Sequence, residues 1–179
     1  MKSNGAGGHV HVLTKSIYSA ILCGKIVLYQ PKGGRMKILF ICKNNQFRSQ
    51  MAAAIYNQIT GTKDADSAGT YVGSADVPEG SIIEGYFRTP DFFELMEENG
   101  MDIRSNRTKK LLPEMIENAN IVVSIVQEPF IPDFLRNNEK VVWWEVADPS
   151  FATREVSEKT YSEIRGLVEQ LVSSDGAIF

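Results

Sequence analysis

The sequence predicts an α/β domain, a three-layer sandwich around a four-stranded parallel central sheet. Three observations predict it. A short unbroken apolar run, ILFI at 38–41, and a mostly apolar one, IVVSIV at 121–126, suit strands buried on both faces. Stretches rich in helix formers alternate with such runs, a pattern that requires right-handed crossovers between parallel strands. Hydrophobic residues make up 43% of the 179-residue chain and charged residues 23%, which suits one sizeable core.

Each element follows in order. Met36–Cys42 is the first strand of the domain. Gln50–Ile59 is rich in helix formers, and Gly61 stops the helix. Residues 64–70 (DADSAGT) form a short second strand that runs into a loop. Residues 72–90 are punctuated by Gly and Pro and read as loop. Asp91–Asn99 is a helix ended by Gly100, and Leu111–Asn118 is a short helix with Pro113 in its first turn. Ile121–Val126 is the third strand. Pro129–Asn137 is a short helix or turn, and Lys140–Trp144 is the fourth strand. Glu155–Val172 is the longest helix, with Val156, Thr160, Ile164, Leu167, Val168 and Leu171 on one face.

Charge divides the chain. It carries 19 Lys and Arg against 22 Asp and Glu, a net of −3. Five of the basic residues and none of the acidic ones fall in 1–35, so the remainder holds 14 against 22, a net of −8. Residues 1–35 read as an extension and 36–179 as the domain. Vector sequence, an upstream start and a genuine appendage all fit the extension. Its middle, IYSAILCGKIVLY, has some marks of a targeting segment, but Lys25 interrupts it and no small-residue cleavage site follows. A short strand or helix packed on the domain fits as well. The acidic balance gives no expectation of a nucleic-acid partner. No apolar run is long enough to span a membrane, so no membrane partner is expected. Two cysteines, Cys23 and Cys42, suit a reducing cytoplasm and exclude a disulfide scaffold. The two histidines, His9 and His11, lie in the extension, so no His-centred metal site is expected in the domain.

The chemistry concentrates in CKNNQFRSQ, residues 42–50. In an open parallel sheet, ligands bind beyond the carboxyl ends of the strands, where Cys42 stands. The helix that follows offers unpaired N–H groups and a positive dipole end, a ready anion site. Such a field also favours a thiolate over a thiol. Arg48, six residues on, has a planar fork that matches two oxygens of a phosphate-like group. Ser49, at the helix start, can cap the helix or donate to the sulfur. Asn44 and Asn45 tolerate the left-handed backbone that a loop with inward N–H groups needs. Alone, a strand-end cysteine is more often a small core residue. Lys43 reads as a solvated charge or as an attraction for anions at the mouth. Tyr71 and Phe151 are candidates for aromatic walls or for core. Of Trp143 and Trp144, which alternate across the fourth strand, one belongs to the core and the other is a candidate for the cleft edge.

The pattern C-x5-R-S between strand and helix resembles the low-molecular-weight protein tyrosine phosphatases and their relatives, the thioredoxin-linked arsenate reductases. The likeness extends beyond the loop. ILFI-CKNNQFRS resembles the family's strand and C-x-x-N-x-C-R-S, with Phe47 where a second cysteine is common. DSAGT (66–70), ENGMDIRSNRTKKL (98–111), ANIVVSI (119–125) and WEVADP (144–149) resemble further family elements in the family's order. The resemblance implies a phosphotyrosine phosphatase I-like fold and a phosphatase that hydrolyses phosphate monoesters, above all protein phosphotyrosine. It implies that Cys42 attacks phosphorus and that Asp148 acts as acid and then base. Arg48 and the loop N–H groups of Lys43, Asn44, Asn45, Gln46 and Phe47 would bind the equatorial oxygens. Ser49 would stabilise the thiolate, and Asn45 with Ser67 would brace the loop. The implied partners are a phosphorylated protein or a small phosphate monoester, and no cofactor or metal is required.

The sequence also departs from the reductase relatives, which pass electrons through extra cysteines. None follows Cys42 here, and only Cys23 in the extension remains. Yet RSQMAA and the D-P-S-F region stand closer to that branch. An arsenate reductase using an external thiol and a non-catalytic oxyanion-binding module therefore remain as alternatives.

Overall fold

A computed structural model of the protein describes residues 18–22, 25–29, 36–86, 90–149 and 153–176. The chain order is β1 (Tyr18–Leu22), β2 (Lys25–Tyr29), β3 (Ile38–Cys42), α1 (Arg48–Thr60), β4 (Ala65–Gly69), α2 (Asp91–Glu98), α3 (Pro113–Asn118), β5 (Ile121–Ser124), α4 (Asp133–Arg136), β6 (Val141–Trp143) and α5 (Arg154–Gly176). A 3-10 turn covers Ile83–Tyr86.

The central sheet is four-stranded and parallel, ordered β4-β3-β5-β6. β3 lies between β4 and β5, which explains its apolar run: every residue from Ile38 to Cys42 is buried. Alternate side chains face opposite layers. Ile38, Phe40 and Cys42 join a core with Met51, Ile55, Phe92 and Ile164 from α1, α2 and α5. Leu39 and Ile41 join a second core with Ile116 of α3 and Leu135 of α4. The expected three layers are therefore present, with helices on both faces of the sheet. α1 ends where Gly61 adopts φ 64°, a left-handed conformation that closes the helix.

Strand order fixes where a ligand can sit. From β3 the chain crosses through α1 to β4 on one side, whereas from β5 it crosses through α4 to β6 on the other. The connections thus diverge between β3 and β5, and a crevice opens at their carboxyl ends.

Most expected boundaries hold to within two residues. The buried stripe of α5 is rotated slightly from the expected one: Ser157 and Tyr161 are buried with Thr160, Ile164, Val168 and Leu171, while Val156 and Leu167 are only partly covered. Arg154, at the start of α5, bonds both carboxylate oxygens of Glu98 at the end of α2. Trp144 is core, packed on Phe40 at 5.7 Å between ring centroids. Trp143 packs against the other core layer. β1 and β2 form an antiparallel hairpin outside the central sheet, with β1 against α5. The reading of that region as a packed short strand therefore finds support. His9, His11, Cys23 and Phe151 lie outside the described residues.

Phe40 is fully buried and touches both Tyr56 and Trp144. Phe40→Ala is expected to cost about 3–5 kcal/mol of stability through lost burial and a cavity. Urea unfolding checks this, and a loss below about 1 kcal/mol would show that the core re-collapses around the site.

Candidate active site

β3 delivers Cys42 to the crevice, and the chain turns at once through residues 43–47 into α1. Asn45 makes that turn possible, with φ 51° and no solvent exposure. Its backbone N–H donates to Cys42 Sγ at 3.2 Å. Its side-chain Nδ2 donates to Ser49 Oγ at 3.0 Å and Ser67 Oγ at 2.9 Å. Ser49 Oγ lies 3.0 Å from Cys42 Sγ. Because Ser49 already accepts from Asn45, its own proton is available to the sulfur. Two donors aimed at one sulfur suit a negative charge on it. Ser49 therefore sits within α1 as the partner of Cys42, and the helix has no side-chain N-cap.

The loop is braced on its other side too. Asn45 Oδ1 accepts from the Lys109 backbone N–H at 2.8 Å and from Gln50 Nε2 at 3.3 Å. Gln50 Nε2 also donates to the carbonyls of Asn45 and Arg107, each at 3.2 Å, and Gln50 Oε1 accepts from Asn106 Nδ2. Backbone bonds from Thr70 N–H to Cys42 O and from Tyr71 N–H to Lys43 O pin the loop against the chain after β4. Among the described residues, the backbone N–H groups of Lys43, Asn44 and Gln46 have no acceptor. Together with the open first turn of α1 they form a rim of donors.

Arg48 is 3% exposed despite its charge. One guanidinium nitrogen donates to Val146 O at 2.9 Å and Ile125 O at 3.2 Å. The other pairs with Asp148 Oδ1 at 2.9 Å, and Asp148 is half exposed. The structure thus brings Cys42, Arg48, Ser49, Asn45, Ser67 and Asp148 to one end of the sheet. Asn44 and Gln46 lie half-buried on the same loop. The Phe47 side chain instead enters the core, 4.2 Å from Phe92 between ring centroids, leaving only its backbone to the cradle. Tyr71 meets Phe130 edge to face at 5.3 Å, and the Lys43 ammonium lies 3.8 Å from the Phe130 ring centre and 5.2 Å from that of Tyr71.

Sequence reasoning missed Gln50 and Phe130. Gln50 reads as a helix former, and only burial reveals its bracing role. Phe130 offered a weak signal: an aromatic residue soon after a strand end on the ligand-binding edge.

The low molecular weight phosphotyrosine protein phosphatase model matches residues 37–174. The chain belongs to this family. An arsenate reductase from Staphylococcus aureus (strain Newman) is 31% identical over 138 residues, covering 76% of this chain and 95% of that protein. The low molecular weight protein tyrosine phosphatase from T. tengcongensis has a similar structure, with a TM-score of 0.60 and 27% identity over 78% of this chain and 99% of that one. A YwlE mutant from Bacillus subtilis gives a TM-score of 0.61 and 25% identity over 78% and 97% of the two chains. Proteins named for phosphatase and for arsenate reductase chemistry thus share this frame.

Within that frame, Gly69 is packed where a side chain cannot fit. An added Cβ would lie 2.8 Å from Lys43 O and 2.9 Å from Asn45 N. Gly69→Ala is expected to push the loop outward, lowering stability by about 1–3 kcal/mol. Vanadate affinity, read by calorimetric titration, should fall on the order of tenfold. Unchanged affinity would mean that the cradle does not depend on this close approach.

Proposed function

We propose that the protein is a metal-independent phosphatase that hydrolyses phosphate monoesters through a phosphocysteine, with protein phosphotyrosine as its leading substrate. One observation carries this reading: Cys42, Arg48 and Asp148 meet at the end of the sheet, with Arg48 bonded to Asp148 and Cys42 inside the Asn45–Ser49 network. A nucleophile, a bidentate cation and a carboxyl group are the parts that phosphoryl transfer needs.

In the proposed first step, Cys42 Sγ attacks phosphorus in line while the bond from phosphorus to the leaving oxygen breaks. Arg48 and the loop N–H groups of residues 43–48 hold the equatorial oxygens and stabilise the charge that builds on them. The phosphoryl oxygens compete with Asp148 for the Arg48 fork, which releases the carboxyl group toward the leaving oxygen. Once out of the ion pair, the half-exposed carboxylate takes a proton from solvent, and Asp148 passes that proton to the leaving oxygen. In the second step Asp148 takes a proton from water as the water attacks phosphorus, the P–S bond breaks, and inorganic phosphate leaves. Asn45 and Ser67 keep the loop in shape, and Ser49 holds the sulfur as a thiolate. This chemistry belongs to residues 36–179, with 1–35 as an appendage, in a cytoplasmic setting.

The likeness to the Staphylococcus arsenate reductase supports a second reading, an arsenate reductase that uses an external thiol. Residues 37–174 contain one cysteine, so an internal disulfide relay cannot be built from them alone. Arsenite formation that depends on added thiol would favour this reading. Vanadate binding without turnover of any ester would favour a simple oxyanion-binding module.

The test of the phosphatase reading is hydrolysis of an aryl phosphate by the full chain. Cys42→Ser should lower the rate by about three orders of magnitude or more, and equal rates in the two would sink the proposal. A screen of phosphotyrosine, phosphoserine and phosphoarginine peptides ranks the substrates. Asp148→Ala should slow esters with poor leaving groups far more than those with good ones, because only the former need a proton in the transition state. A flat effect across leaving groups would remove Asp148 from the acid role.

A further inference from the structure

Lys43 is the residue next to the candidate nucleophile, and its ammonium group is held in place. Phe130 lies 3.8 Å away and Tyr71 5.2 Å away, measured to their ring centres. The two rings contact each other edge to face, so they form one wall. A bond from Tyr71 N–H to Lys43 O fixes the backbone beneath this wall. Among the described residues, no carboxylate pairs with Lys43. The nearby Asp76 approaches the Tyr71 hydroxyl instead. Arg104, Lys109, Arg136, Arg154 and Arg165 all have carboxylate partners. A second cationic side chain, Lys110, runs along Gly73 in the loop that carries Tyr71.

An ammonium group held over aromatic faces keeps its charge and loses little further freedom when an anion arrives. Its three donors are directional and strong toward carboxylates. It also covers part of the aromatic wall on which a substrate ring would otherwise stack. We propose that Lys43, clamped by Phe130 and Tyr71, forms a second anion subsite beside the phosphate cradle and selects phosphorylated peptides with Asp or Glu next to the phosphorylated residue. The proposal rests on the phosphatase reading for its turnover assay and on the cradle alone for its binding assay.

Two phosphotyrosine peptides identical except for Asp and Glu against Asn and Gln at the flanking positions provide the test. The wild-type kcat/KM should favour the acidic peptide roughly three- to tenfold at low salt. That ratio should shrink as salt is raised, because the subsite faces solvent. In Lys43→Met the ratio should fall to near one, and Lys43→Arg should restore part of it. Phe130→Leu, which keeps the charge but removes its clamp, should give an intermediate ratio. A ratio unchanged in Lys43→Met overturns the proposal. So does an equal loss on both peptides, which would place Lys43 on the phosphoryl group itself. If the wild type hydrolyses an aryl phosphate but turns over neither peptide, phosphotyrosine fails as the substrate. If it hydrolyses neither the aryl phosphate nor the peptides, the phosphatase reading fails. In both cases the same pair is titrated against Cys42→Ser by fluorescence anisotropy. Preference for the acidic peptide there, lost in Cys42→Ser/Lys43→Met, supports the subsite, and equal or absent binding overturns it.

Discussion

Asn45 holds a backbone conformation that only the surrounding bonds make tolerable, and the candidate site depends on it. A left-handed residue without solvent contact is costly unless its polar atoms are satisfied. Here Nδ2 reaches two serine hydroxyls, Oδ1 takes a backbone and a side-chain donor, and the backbone amide reaches the sulfur. These bonds run to β3, to β4, to α1 and to the segment before α3. Four separate parts of the chain therefore fix the curvature of one loop. Asparagine suits the position because aspartate has no donors for the two serines, and glycine has no side chain with which to bind anything.

Arg48 plays the matching part on the other side of the crevice. A buried guanidinium is unfavourable unless its donors are used. Its partners are carbonyls after β5 and after β6 and the half-exposed carboxylate of Asp148. The same cation that suits an oxyanion thus also ties two strand ends together. Strand order makes this possible, because the divergence between β3 and β5 leaves space there for a side chain from α1. Lysine would not be an equivalent replacement, since one ammonium cannot reproduce the flat fork that serves two carbonyls and a carboxylate at once.

The parts of the fold that were legible in the sequence are those set by local pattern. β3 and β5 stand out because central strands of a parallel sheet are apolar on both faces, and Gly61 marks the end of α1 because few other residues adopt its φ. Cys42, Arg48 and Ser49 were legible because they flank one short loop, Cys42 ending β3 and Arg48 and Ser49 opening α1. The contacts that complete the site were not. Arg48 meets Ile125 and Val146 across 77 and 98 residues of chain, through carbonyl groups that every residue possesses. Gln50 has the composition of an ordinary helix position, and only its burial gives it three acceptors. The apolar runs on either side of Gly24 allowed a short strand or helix packed on the domain, but they did not distinguish between the two or show that the runs pair with each other.

Phe47 bears on how this protein could change its chemistry. Its ring fills the core against Phe92 beneath the loop, where family relatives commonly carry a thiol. Converting Phe47 to cysteine would supply a second sulfur but would remove most of a buried ring, at a cost of about 3 kcal/mol or more if nothing refilled the space. A thiol gained at this position therefore comes with a large loss of core packing. A compensating enlargement at Phe92 or its neighbours would offset that loss. The side chain at position 47 is thus committed to the core, and any change of chemistry at this loop position is coupled to the packing beneath it.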